Sequence, residues 1–139
     1  MQHAPNIAEL LIHPVVQEAL EQAWKDSMVA DPKRRHEEGG WIYCEIATSA
    51  ITARRAVAGR RASLNLDDPP LIAGSAIVAT FHTHPNPAAD GWTTGPSSSD
   101  TEAAWLDGVP CLIRAEDGVH VAGPEARRGG LSGNAGFPE

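Results

Sequence analysis

Phe81-His82-Thr83-His84-Pro85 closes an apolar run, Ala76-Ile77-Val78-Ala79-Thr80-Phe81, that reads as a buried strand. Side chains alternate across a strand, so His82 and His84 share one face while Phe81 and Thr83 take the other. Two imidazoles at that spacing can hold one ion. Further along, Pro96-Ser97-Ser98-Ser99-Asp100 leads into a segment of helical composition, and Asp100 offers an oxygen as third ligand. Two histidines and a carboxylate, with a fourth position left for water, make the ligand set of a catalytic zinc site. Each part has a plainer reading. A strand-borne His-x-His can be two surface histidines. Ser97 with Asp100, or Ser99 with Glu102, is also the grammar of a helix cap ahead of Ala103-Ala104-Trp105-Leu106. Capping and ligation are compatible, because a carboxylate in a first helical turn can still face the strand ends.

Joined to the upstream stretch Arg35-His36-Glu37-Glu38-Gly39-Gly40, these residues resemble the JAB/MPN metalloprotease family, also called JAMM. Its pattern is a Glu just ahead of a first strand, then His-x-His-Pro, then Ser-x-x-Asp. The likeness covers residues 10–123, nearly the whole domain, and its motifs are specific in combination and weak singly. It implies an α/β (mixed α+β) fold, a central mixed β-sheet flanked by helices in a cytidine-deaminase-like architecture. It also implies roles. His82, His84 and Asp100 would hold one Zn2+ per chain. Glu37, selected over Glu38 by its distance from the strand-opening glycine, would hold the water and carry its proton. Ser97 would donate a hydrogen bond to the oxyanion.

On that resemblance the chain is expected to be a zinc-dependent metallopeptidase or isopeptidase. The bond cut would follow the C-terminal Gly-Gly of a ubiquitin-like protein, as in deubiquitinase-like enzymes, with that protein or its conjugate as partner. The bare domain, without a Cys/His-rich insertion, is similar to the compact prokaryotic members, and heavy use of Ala, Gly, Arg and Pro agrees with a bacterial source. Two other readings stand beside it: a non-catalytic MPN-type interaction module, a branch that usually loses the ligands kept here, and a peptidase of unrelated peptide substrates. One departure concerns residues 85–96, which separate His84 from Ser97 by more than the family's usual spacing. Their composition is that of a loop, and added loop length costs little. Trp92 stands in that loop among small residues; it either tucks into the core or lines a substrate groove.

Other metal chemistries fit less well. Zinc deaminases need His-x-Glu followed by Pro-Cys-x-x-Cys; His36-Glu37-Glu38 meets the first half, but no second cysteine follows Cys111. A His-Glu-x-x-His helix is missing too. Non-haem iron uses the same two-histidine, one-carboxylate set, so zinc is what the resemblance adds.

The elements that must position these residues are legible from periodicity. Pro14 suits the first position of a helix, and Val15, Val16, Ala19, Leu20, Ala23, Trp24 and Met28 repeat behind it as one apolar face. Strands are expected over 41–46, 51–57 and the His-bearing run, then a helix near Asp100 that Gly108-Val109-Pro110 ends. Residues 109–114 and 119–122 read as a hairpin turning at Glu116-Asp117-Gly118. The chain therefore divides into a domain over 1–123 and a Gly-rich flexible tail over 124–139, in which Arg127-Arg128-Gly129-Gly130-Leu131 is similar to a ubiquitin-like terminus.

With 139 residues there is room for one core. A net charge of −7 argues against nucleic acid, which requires a basic footprint. No apolar run approaches a membrane span, and no leader peptide is expected at the N-terminus. Cys44 and Cys111, far apart and without CxxC spacing, read as buried reduced thiols of a cytoplasmic protein, a disulfide between them being left open.

Overall fold

In the computed structural model, which describes residues 3–131 and 135–139, helices α1 (Ile7–Ile12) and α2 (Pro14–Asp26) precede strands β1 (Gly39–Glu45), β2 (Ile51–Arg55) and β3 (Ser75–His84). Helix α3 (Ser98–Asp107) then leads to strands β4 (Cys111–Ala115) and β5 (Gly118–Ala122). The strands form one five-stranded sheet in the order β2-β1-β3-β4-β5. Pairing is antiparallel throughout except between β3 and β4, which run parallel with α3 as their crossover. The result is a mixed sheet with helices on its faces. Among the described residues, no helix is long and apolar enough to cross a membrane.

One face of the sheet is closed by α2. Val16, Leu20 and Ala23 are buried against Ile42, Cys44, Ala76, Val78, Ala79, Phe81 and Leu112. The helix ends at Asp26, two residues before Met28, the last position of its apolar spacing. Ser27 caps it with its hydroxyl on the Ala23 carbonyl (2.8 Å), and Met28 turns outward with a left-handed φ of 56°. Trp24 is half-buried, its ring stacked under the Arg114 guanidinium at 4.5 Å.

A β-bulge in β3 sets the direction of the histidines. The β1–β3 register shifts between Ile42 and Tyr43, so that Ile42 faces Ala79 and Tyr43 faces Ile77, leaving Val78 as the extra residue. Val78 and Ala79 consequently both pack on the α2 face. Ile77 points the other way, into a cluster with Trp41 and Tyr43. The insertion resets the alternation: Phe81 and Thr83 fall on the α2 face, and His82 and His84 on the opposite one. Thr83 is fixed there by Ser27 Oγ at 2.7 Å and by the Glu38 amide at 3.0 Å.

The segment after Pro124 corrects an expectation. Glycine content alone reads as a flexible tail, but over its described residues the segment is packed. Leu131 is 1 % exposed in the core under α2, and Phe137 lies against Trp41, Tyr43 and Ile77. The cause lies in β3. Its partner β4 begins only opposite Thr80, so the backbone of Ile77 has no strand on that side, and buried peptide groups need partners. Arg127 donates to the Ile77 carbonyl (2.8 Å), and the Ile77 amide reaches the Gly136 carbonyl (3.4 Å). Arg127 also holds the carbonyls of Gly130 (2.9 Å) and Gly136 (2.5 Å). Residues 132–134 of this segment lie outside the described ones.

Candidate metal centre

His82 and His84 reach from the end of β3 towards the first turn of α3, which carries Asp100. His82 Nε2 lies 3.3 Å from Asp100 Oδ1, His84 Nε2 3.2 Å from Asp100 Oδ2, and the two Nε2 atoms are 3.2 Å apart. Among the described residues, this is the group of His, Cys, Asp and Glu whose ligand atoms converge closely enough to hold an ion. The residues fit zinc. Bonds of about 2.0 Å in tetrahedral geometry place neighbouring donors about 3.3 Å apart, close to the separations observed. Both imidazoles present the same nitrogen, Nε2, and their Nδ1 atoms face other partners, as ligating histidines require. His84 Nδ1 meets the Thr94 carbonyl at 3.2 Å, and His82 Nδ1 meets Cys111 Sγ at 3.6 Å.

The capping motif and the ligand motif are the same residues. Ser97 Oγ accepts from the Asp100 amide (3.0 Å) while Asp100 Oδ2 accepts from the Ser97 amide (2.9 Å), a reciprocal capping box. The cap thereby orients the carboxylate that faces the histidines. Burial alone would raise the Asp100 carboxyl, but the hydrogen bonds from His82 and His84 outweigh it and hold it far below the usual carboxylate range. For His82 burial disfavours the charged ring, yet Cys111 and Asp100 beside it bring its pKa well above the ordinary imidazole value.

Glu37 and Ser97 line one cavity of about 670 Å3 with His82, His84 and Asp100. Glu37 lies just before β1, and its backbone is pinned by pairing with Arg60 (2.7 Å) and Gly59 (2.9 Å). Gly39, the residue of β1 opposite His82, has no room for a side chain; a Cβ there would come within 2.2 Å of the Phe81 carbonyl and 2.7 Å of the Leu64 side chain. Burial pushes the Glu37 carboxyl up; His82 and His84 pull it back down, and Asp100 adds to the rise. Glu38, one residue on, faces away from the cavity. Its carboxylate is held by Arg55 (2.7 Å) and His36 (2.5 Å), so His36 is tied to Glu38 and not to the ligands.

Trp92 also lines the cavity and is 41 % exposed, so it does not tuck into the core. None of the described residues of 124–139 lines it, which leaves the chain's own Gly-Gly segment away from the ligands. Thr94 and Cys111, the residues behind the two imidazoles, carry no signal in the sequence. One is a loop carbonyl and the other a thiol brought alongside only by the parallel pairing of β4 with β3. Both cysteines are buried free thiols. No protein-family model, curated protein or solved structure matches the chain.

Proposed function

We propose that the chain is a zinc-dependent metallopeptidase of the JAMM type, hydrolysing a peptide or isopeptide bond after the Gly-Gly terminus of a ubiquitin-like protein. The JAB-type, deaminase-like architecture and a cytoplasmic setting belong to the same proposal. The observation that carries it is the convergence of His82, His84 and Asp100 in one cavity that Glu37 and Ser97 also line. When bound, zinc supplies the Lewis acidity that acidifies water near neutral pH and polarises a carbonyl.

The chain's own residues do the rest. Glu37 accepts a proton from the attacking water and returns it to the leaving amine, and a carboxyl raised by burial suits both directions. Ser97 Oγ already accepts the Asp100 amide, which leaves its O–H free to donate where negative charge develops. It is no nucleophile, since no described side chain takes its proton. Trp92 offers an apolar wall to an extended substrate segment.

Elemental analysis of protein purified without chelator tests the centre. We expect one zinc per chain in wild type and none in His84→Ala; equal zinc in both removes the assignment. Zinc-loaded protein should cut a Gly-Gly-linked reporter, and Glu37→Gln should keep its zinc but not cut. A zinc-loaded chain that cuts no Gly-Gly-linked substrate would reduce the proposal to a zinc hydrolase of other substrates.

A further inference from the structure

A chain of hydrogen bonds leads from the metal centre to the turn after β4, which lies at the same end of the sheet because His84 pairs with Ala115. His84 Nδ1 meets the Thr94 carbonyl at 3.2 Å. The Thr94 hydroxyl donates to Asp117 Oδ2 (2.9 Å), and Asp117 Oδ1 pairs with His120 Nε2 (2.8 Å). A second bond joins the same places: the Ala88 amide donates to Glu116 Oε1 (2.8 Å). Glu116 and Asp117 are the turn between β4 and β5. Their side chains therefore grip the long loop 85–96 near its beginning and near its end.

We propose that this turn is the template that shapes loop 85–96, and that Asp117 is a positioning residue for the metal ligand His84. The inference rests on the metal-centre reading above. A ligating imidazole needs its second nitrogen to carry a hydrogen and to have an acceptor, which fixes its tautomer and its ring plane. For His84 that acceptor is a loop carbonyl, and a carbonyl can be placed only by placing its residue. The loop supplies little order of its own, a single 3-10 turn over Ala88–Asp90. Thr94 is held through its hydroxyl by Asp117, and His120 on β5 engages the carboxylate's other oxygen. Trp92 lies between the two gripped positions, so the same turn sets where that ring meets the cavity. Spacing alone does not reveal this role, because the turn reads as an ordinary hairpin end.

The competing reading is that these are exposed hydrogen bonds of little consequence, as surface pairs commonly are. Competition with a chromophoric chelator gives the zinc affinity of the full-length chain and separates the two. Asp117→Ala and Thr94→Val should each weaken zinc about fivefold, the worth of one hydrogen bond passed on to a ligand. Thr94→Ser keeps the hydroxyl and should bind as wild type. The double variant Asp117→Ala/Thr94→Val should be no weaker than either single one, because both break the same path. In imidazole nitrogen NMR, the His84 Nδ1 proton should exchange faster in Asp117→Ala than in wild type. Unchanged affinity and an unchanged His84 signal in Asp117→Ala, while His84→Ala loses zinc, overturn the inference and leave the centre standing. A loss of metal-free melting temperature in Asp117→Ala with no change in the His84 signal also overturns it, by making the role purely structural. Retention of zinc by His84→Ala removes both the centre and this inference.

Discussion

At Glu37 burial acts against the charge that catalysis would use. Its carboxyl is raised above the ordinary value by burial first, with the histidines opposing and Asp100 reinforcing. A folded-state pKa above the unfolded one means that the ionised form favours the unfolded chain. Glu37 therefore subtracts stability once pH passes up through its folded value, and subtracts nothing well below the unfolded one. Glu37→Gln should raise the melting temperature of the metal-free protein at neutral pH, and the gain should vanish below about pH 4. A gain that persists in acid assigns the effect to packing. Glu38 has a different task, as the buried end of a half-exposed pair with Arg55 (2.7 Å). Glu38→Gln should cost about 2 kcal/mol of stability, as the loss of a charged hydrogen bond does, and leave the hydrolytic rate unchanged; denaturant melts and a rate assay check both. The sequence places two glutamates side by side, and residue types alone do not separate them. Strand alternation does: Glu37 falls on the side of His82, and Glu38 on the side of Arg55.

The elements join what the residues need. In α3 a single capping box both starts the helix and aims Asp100. Ser97→Ala should lose about 1 kcal/mol of stability through the missing cap, together with roughly 100-fold in rate through the missing donor. Ser97→Asp restores a cap acceptor but offers no O–H, so stability should return while the rate stays low. Recovery of both would show that Ser97 serves only the helix. Helix α2 was legible from its 3.6-residue apolar spacing, and β1, β3 and β4 from short continuous apolar runs bounded by turn residues. The bulge at Val78 was not. Ala76-Ile77-Val78-Ala79 holds no glycine or other mark of an irregularity, and an unbroken alternation from Ile77 would turn His82 into the α2 core. Only pairing with β1 reveals the extra residue. For the same reason the boundaries moved: β1 begins at Gly39, where backbone pairing with His82 starts before the apolar run does.

At the scale of the molecule, the composition of the last residues misled because a glycine-rich segment can supply backbone as well as slack. Its function in the fold is to give β3 the partner that β4, starting late, does not provide. Arg127→Met should destabilise the protein by about 3 kcal/mol, since it strips a buried donor from several carbonyls at once. Truncation after Pro124 should lower the melting temperature further or prevent folding; an unchanged melt would return the segment to the status of a tail. The docking of this segment also bears on the lifetime of the native state. Arg127 and Ile77 are 50 residues apart in the chain, whereas His82, His84 and Asp100 belong to one strand–helix unit. Contacts of long separation carry the larger closure entropy and are favoured late on the way to the native structure. Leu131→Ala should accordingly quicken unfolding several-fold and leave the refolding rate nearly unaltered in stopped-flow experiments. The C-terminal segment would then be a kinetic latch, setting how long a folded, metal-loaded molecule persists once formed.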